Sequence, residues 1–113
     1  MRRSWAVPAQ ALDTLQIGSF QLDPVQRQLT ISHGNIVKLT NLEFRLLHLL
    51  MSHQNKVLEP NYIVECVWGY SGDGDNVLLK NVVYRLRRKI ETDSSQPRYL
   101  RTVTGKGYVF QSD

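Results

Sequence analysis

The sequence predicts an α+β fold with an N-terminal antiparallel β-sheet, three helices and a C-terminal β-hairpin. Short runs of alternating apolar and polar residues occupy residues 15–39, and such alternation is typical of half-buried strands. Longer runs between residues 40 and 91 repeat apolar residues at helical spacing. Two further short apolar runs near the end of the chain flank a turn that contains two glycines. Strands followed by helices favour an α+β domain.

The length of 113 residues fits one domain with a modest hydrophobic core. Residues 1–13 lack periodicity and are interpreted as a leader or linker, so the folded domain is expected to span residues 14–113. Strands are predicted over residues 16–22, 27–31 and 36–39, with tight turns between them. A sheet of three short strands is marginal alone, so it must pack against the helices.

Capping signals mark the first two helices. Thr40 and Glu43 have the spacing of a capping box, which predicts a helix from about residue 41 to residues 53–55. Glu59 as cap and Pro60 at the first helical position predict the start of a second helix, which Gly69 ends.

The third helix is predicted from Val77 to Glu91, with Asp75 or Asn76 as its cap. At 100° per residue its apolar residues fall within one arc, which should face the core. They are Leu79, Val82, Val83, Leu86 and Ile90. The opposite arc carries polar, aromatic and basic residues, flanked by Lys80, with Arg87 and Lys89 at the two borders. The residues of that arc are Val77, Asn81, Tyr84, Arg85 and Arg88.

Positive charge is concentrated around this helix. Residues 80–106 hold eight basic and two acidic residues, whereas the remainder holds six basic and eight acidic residues. A solvated basic face is the ordinary interpretation of such a helix, but that face usually has acidic partners at i±4, which are almost absent here. The segregation therefore favours a polyanionic partner, and the helix fits the major groove of double-stranded DNA.

The outer arc divides by side-chain chemistry. Val77, Asn81 and Arg85 are predicted to read base edges, Val77 through a thymine methyl group. Tyr84, Arg87 and Arg88 are predicted to hold phosphates, which fix register without reading sequence.

The hairpin supplies a second candidate contact. Its turn, Thr104-Gly105-Lys106-Gly107, has little bulk and one long cation, which suits the approach to a phosphate backbone or a minor groove. The expected DNA-binding residues of the hairpin are Thr102, Thr104 and Lys106. A nucleotide-binding loop is rejected, because that motif needs a longer glycine spacing and a following helix.

Catalysis and cofactor binding have little support. The three histidines lack metal-ligand spacing, and Cys66, the single cysteine, is interpreted as a small core residue. No metal, no cofactor and no enzymatic activity are expected, and no apolar stretch is long enough for a membrane span. With no secretory signal expected, we assign the chain to the cytoplasm.

The ordered motifs from Leu39 to Tyr108 resemble the OmpR/PhoB-type winged-helix effector domain of bacterial two-component response regulators. They are Leu39-Thr40-x-x-Glu43-Phe44-x-Leu46-Leu47, Val57-Leu58, Val67-Trp68-Gly69, Arg85-Leu86-Arg87-x-Lys89-Ile90 and Arg98-Tyr99-Leu100-x-Thr102-Val103-x-Gly105-x-Gly107-Tyr108. The resemblance covers about residues 15–111.

The resemblance implies a winged helix-turn-helix fold whose third helix enters the major groove and whose hairpin, the wing, approaches the minor groove. It implies transcriptional regulation by sequence-specific DNA binding, usually as a head-to-tail dimer on direct repeats, with a phosphorylatable receiver domain upstream. The loop at residues 70–76 can face RNA polymerase in this family, which points to Tyr70, Asp73 and Asp75. The family sheet usually has four strands, so a fourth is expected within residues 3–14. We expect an effector domain separated from its receiver domain.

The sequence departs from the family pattern at three places. Asn81 stands where many members have a short apolar residue. Val82-Val83 stands where many have His or Tyr followed by an apolar residue. Thr104 stands where many have an arginine, whose charge Lys106 can supply. These departures leave the operator sequence open. A winged helix that binds proteins and one that binds RNA are the alternatives. The first predicts a neutral or apolar outer face, whereas this one is cationic, and the second predicts an aromatic stacking platform.

Overall fold

The computed structural model describes residues 13–31, 34–69 and 76–112 of the chain. In this part of the chain a four-stranded sheet comes first, followed by three helices and a two-stranded hairpin. The elements are β1 (Leu15–Ile17), β2 (Phe20–Asp23), β3 (Gln28–Ile31), β4 (Asn35–Lys38), α1 (Asn41–Ser52), α2 (Pro60–Trp68), α3 (Asn76–Ile90), β5 (Leu100–Val103) and β6 (Gly107–Phe110). The predicted winged helix-turn-helix architecture is confirmed.

The N-terminal sheet is an antiparallel meander in the order β1-β2-β3-β4. Phe20 and Leu22 of β2 and Leu29 of β3 are fully buried, while Gln21 between them is exposed. This alternation puts one face of the sheet against the helices, as the strand period requires.

The prediction of a single strand over residues 16–22 is wrong. The run is two strands joined by a tight turn at Gly18 and Ser19, where Gly18 has a φ of 57° and Ile17 pairs with Phe20. Glycine adopts this left-handed conformation without a steric penalty, so the small pair marks a hairpin turn. The fourth strand is thus Leu15–Ile17; residues 13 and 14 are not in a strand, and residues 3–12 lie outside the described residues.

Both capping predictions for the first two helices agree with the structure. The Glu43 N–H donates to Thr40 Oγ1 at 3.2 Å, and the Thr40 N–H donates to Glu43 Oε1 at 3.0 Å, which completes the capping box of α1. Glu59 occupies the N-cap position of α2 without a side-chain cap hydrogen bond, Pro60 is the first residue of the helix, and Gly69 ends it in the left-handed conformation with a φ of 86°.

Helix α3 buries the arc that its periodicity predicts. It begins at Asn76 and ends at Ile90, one residue before the predicted start and end. Five apolar side chains on one side are at most 5% exposed, and they are Leu79, Val82, Val83, Leu86 and Ile90. They pack with α1 and α2, so the other side of α3 is left to solvent.

Aromatic contacts join the hairpin to the N-terminal sheet. The ring of Phe20 lies edge-on to Phe110 of β6 at 5.3 Å between centroids and to Tyr99 at 4.7 Å. Such edge-to-face pairs add to the burial that holds two sheets together. The wing is therefore anchored on the same core as α3.

The wing is also anchored on the segment before α2. Leu58 and Tyr108 exchange two backbone hydrogen bonds, with N···O distances of 2.8 and 3.1 Å. Gly107 permits this approach, because a Cβ on it would overlap the Leu58 carbonyl group. Its φ of 151° is also a conformation that side chains disfavour.

Gly107→Ala is expected to lower the free energy of unfolding by about 2–4 kcal/mol, because the strained backbone and the clash with Leu58 add. Gly105→Ala is the matched control. Gly105 also has a positive φ, of 74°, but a Cβ there meets nothing within 4 Å, so the loss should be about 1–2 kcal/mol. Urea denaturation measures both values. Equal losses would show that the approach to Leu58 does not constrain the wing.

Candidate nucleic-acid interface

The exposed side of α3 carries most of the residues predicted to bind DNA. Val77 is 66% exposed and Tyr84 58%, so both side chains are open to solvent. The exposed members of the predicted set on this helix are Val77, Lys80, Asn81, Tyr84, Arg85 and Arg88. The structure thus brings them onto one surface, while their DNA contacts stay a prediction.

Tyr84 and Arg88 form a pair one helical turn apart. The Arg88 Nη1 group donates to the Tyr84 hydroxyl oxygen at 3.1 Å, and the guanidinium carbon lies 5.7 Å from the ring centroid. Contacts at i,i+4 restrict both side chains. The hydroxyl and the cation are therefore presented together on the solvent side of α3.

Arg87 links α3 to the wing. Its Nε group donates to the Leu100 carbonyl at 2.9 Å, and Nη2 donates to Thr102 Oγ1 at 2.7 Å. Burial lowers the pKa of the Arg87 guanidinium, since desolvation disfavours the charged form. Both hydrogen-bond acceptors are neutral, and the negative charge of Glu91 opposes the effect of burial on the pKa, so the positive charge stays at the junction of helix and wing. The Thr102 hydroxyl accepts from Arg87 and keeps its own proton for another acceptor.

Glu91 fixes the chain between α3 and β5. Glu91 is buried, 9% exposed, and its carboxylate accepts hydrogen bonds from the backbone N–H groups of three successive residues. The donors are Arg98 at 2.7 Å, Tyr99 at 3.0 Å and Leu100 at 2.8 Å. Charge-assisted hydrogen bonds of this kind are strong. No local sequence pattern indicates this role of Glu91, because its donors lie seven to nine positions away.

Glu43, predicted as a capping residue, also meets the cations of α3. Lys89 Nζ donates to Glu43 Oε1 at 2.6 Å and to the Lys38 carbonyl at 3.0 Å, and Arg85 Nε lies 3.7 Å from Glu43 Oε2. Burial raises the pKa of the Glu43 carboxyl, but the hydrogen bonds from Lys89 and Thr40 and the charges of Lys89 and Arg85 together lower it by more, so the pKa lies below its ordinary value. The carboxylate is therefore ionised at neutral pH.

The tip of the wing is open to solvent. Thr104, Gly105 and Lys106 form its exposed turn, closed by a hydrogen bond from the Lys106 N–H to the Val103 carbonyl at 2.9 Å. The Lys106 side chain has no ion pair within the described residues. The geometry gives the wing a free cation at its tip, as the sequence predicted.

Other sequence predictions fall elsewhere. Tyr70, Asp73 and Asp75, predicted to face RNA polymerase, lie outside the described residues. Cys66, interpreted as a core residue, is only half-buried. Among residues 13–31, 34–69 and 76–112, no group of three or more His, Cys, Asp or Glu side chains is arranged to hold a metal ion. In the same ranges every helix is too short or too polar to cross a membrane.

Comparison with known families gives one match over most of the chain. Residues 34–110 match the family described as "Transcriptional regulatory protein, C terminal". The chain is also 35% identical over 113 residues to the DNA-binding dual master transcriptional regulator RpaA of Synechocystis sp., with 98% of this chain and 46% of that protein covered. The chain thus spans less than half the length of this relative.

Solved structures with the same fold agree with this match. The DNA-binding domain of Klebsiella pneumoniae RstA, crystallised in complex with the RstA box, has a TM-score of 0.78 and 28% identity, covering 88% of this chain and 98% of that one. The response regulator DrrB of Thermotoga maritima, an OmpR/PhoB homologue, has a TM-score of 0.75 and 26% identity, covering 88% of this chain and 44% of that one.

Glu43→Gln is expected to weaken the dependence of stability on acid pH. The folded-state pKa of Glu43 lies below its ordinary value of 4.5, so the unfolded chain binds the proton more readily. The carboxylate therefore stabilises the fold above that value, and this contribution is lost as pH falls through the folded-state pKa. Urea denaturation at a series of pH values should show that the free energy of unfolding falls less steeply with decreasing pH in the variant than in the parent.

Asp93→Asn provides the comparison for that measurement. Hydrogen bonds from the Ser95 side chain and backbone lower the pKa of Asp93, but this carboxyl is fully exposed. Solvent screening reduces its contribution, so its removal should change the slope less than Glu43→Gln does. Identical slopes in the Glu43 variant and the parent would contradict the buried ion-pair network.

Proposed function

This chain belongs to the OmpR/PhoB-type family of transcriptional regulatory protein C-terminal domains, and on that premise we propose that it binds double-stranded DNA sequence-specifically to regulate transcription. The observation that carries the proposal is the composition of α3, which has five basic residues and no acidic one. Its apolar side is buried. Lys80, Arg85 and Arg88 are exposed, Arg87 is half-buried, and the ammonium group of Lys89 is bound to Glu43. A helix of this kind fits a major groove and its flanking phosphates.

Base reading is proposed for the stripe formed by Val77, Asn81 and Arg85. These residues lie one helical turn apart on the exposed side. An arginine fork matches the two acceptors of guanine, and an asparagine amide matches the acceptor and donor of adenine. Val77 supplies an apolar surface for a thymine methyl group.

Phosphate binding is proposed for the cations and hydroxyls beside that stripe. Tyr84 and Arg88 act as the pair described above, and Lys80 adds a flexible charge at the border of the stripe. Arg87 and Thr102 lie at the junction of α3 with the wing, where the Arg87 charge has neutral partners and the Thr102 proton is available. A phosphate oxygen there would pair with the Arg87 charge and accept the Thr102 hydroxyl proton in a hydrogen bond.

The wing is proposed to approach the minor groove next to the site of α3. Lys106 is the cation at its tip, and Thr104 lies on the other side of the turn. A narrow minor groove has an enhanced negative potential that attracts such a side chain. The wing would then favour A·T-rich flanks without reading individual bases.

The wider assembly is proposed from the family. Since the chain spans 46% of RpaA, we infer an upstream receiver domain whose phosphorylation controls DNA binding in the cytoplasm. Head-to-tail dimers on direct repeats and a contact of Tyr70, Asp73 and Asp75 with RNA polymerase are part of the same proposal.

Binding to random duplex DNA across a salt series tests the proposed function. The logarithm of the association constant should fall linearly with the logarithm of the salt concentration, because phosphate contacts release counterions. Fluorescence anisotropy with a labelled duplex measures this slope, and a selection from random duplexes supplies the preferred site. Absence of binding at low salt would refute DNA binding and leave the protein-interaction alternative.

Arg85→Ala is expected to weaken binding to the preferred site by about 1–3 kcal/mol and to relax the preference at one base position. Affinity for random duplex should change much less. Lys38→Ala, which removes an exposed cation of the sheet, is the control and should leave the preference intact. Equal weakening on preferred and random duplexes would identify Arg85 as a phosphate contact.

A further inference from the structure

Arg85 extends from α3 beside a carboxylate that solvent does not reach. Its side chain is 55% exposed, whereas that of Glu43 is 1% exposed, and the Arg85 Nε and Glu43 Oε2 atoms are 3.7 Å apart. The pair therefore joins the buried side of the molecule to the surface proposed to read bases. This contact crosses from the first turn of α1 to α3.

The Glu43 carboxylate is itself held from two further directions. The Thr40 N–H and the Lys89 ammonium group both donate to Oε1, at 3.0 and 2.6 Å. Lys89 is fixed in turn by the Lys38 carbonyl at 3.0 Å. A carboxylate with these partners cannot rotate without breaking hydrogen bonds in a buried site. Oε2 is thus a fixed negative charge beside Arg85.

The contact uses one edge of the guanidinium group. Arg85 faces Glu43 through Nε, at an ion-pair distance that is too long for a hydrogen bond, so the Nη1–Nη2 edge of the planar guanidinium group is left for another contact. The two terminal groups of that edge are what a bidentate contact to guanine requires. An arginine oriented in advance also loses less side-chain entropy when it binds.

We propose that Glu43 is a positioning residue that sets base discrimination by orienting the Arg85 guanidinium, without touching DNA itself. This inference rests on the proposed function and names a determinant of specificity within it. Lys89 contributes to the same arrangement, because it holds the Glu43 carboxylate in place and neutralises the negative charge that would otherwise repel the DNA phosphates.

Loss of the Glu43 charge has two opposite effects on binding. It raises the net charge of the domain by one, which favours any polyanion. It also frees the Arg85 side chain, which then has to be ordered on the base. Discrimination should therefore fall by about two- to ten-fold, the cost of immobilising one long side chain, while affinity for random duplex rises or stays the same. A variant that merely damages the fold would lower both.

Glu43→Gln in the 113-residue chain tests the proposal, because a glutamine oxygen can still accept from the Thr40 N–H and complete the cap. Three duplexes are compared by anisotropy: the selected site, the same site changed at the base pair that Arg85→Ala identifies, and random sequence. Glu65→Gln removes an exposed carboxylate from α2 and controls for net charge. Thermal unfolding of each variant reports the folded fraction.

A double-mutant cycle decides between positioning and a general effect. Glu43→Gln should reduce discrimination at the Arg85 base pair in the parent and have no further effect in the Arg85→Ala background. An unchanged discrimination in Glu43→Gln, or an equal loss in both backgrounds, would overturn the proposal while leaving base reading by Arg85 intact. If Arg85→Ala itself leaves discrimination unchanged, the base-reading role fails first, and the positioning role with it.

Discussion

Burial of one side of α3 in the helical core is the contact on which the rest of this structure depends. Val83 and Leu86 are at most 2% exposed in the core cluster, and α3 contacts both α1 and α2. The burial of such side chains stabilises the fold by about 1.5–3 kcal/mol each. Because a helix is rigid, fixing its apolar side also fixes where the opposite side points. The cations therefore form an exposed surface as a consequence of core packing.

Two buried carboxylates then connect that helix to its neighbours. Among the described residues, Glu43 and Glu91 are the buried charged side chains, and an uncompensated buried charge is strongly destabilising. Glu43 is compensated by Lys89 and Arg85, and Glu91 by the backbone N–H groups that lead into β5. The first joins α1 to α3, and the second fixes the start of the wing. Arg87 adds a third link, so helix and wing form one surface.

Periodicity and capping predicted most of this fold, because both depend on residues close together in the chain. The buried arc of α3 and the capping box at Thr40 follow from spacing alone, and so does the exposed face. The hairpin turn at Gly18 and Ser19 was missed, because two small residues are compatible both with a continuous strand and with a tight turn. The ion pairs of Glu43 could not be predicted from neighbouring residues in the sequence, since Lys89 lies 46 positions away. The DNA-binding roles of the exposed residues remain predictions, as do the residues proposed to face RNA polymerase.

The exposed side of α3 and the tip of the wing are proposed to contact duplex DNA together. The most direct measurement is a titration of the ¹⁵N-labelled chain with its selected duplex, followed by amide chemical shifts. We expect little change in the outer strand around Ile36, which is also exposed, and the largest changes at Val77, Asn81, Arg85 and Lys106. Changes concentrated around Ile36 and Val25, with α3 unaffected, would contradict this proposal.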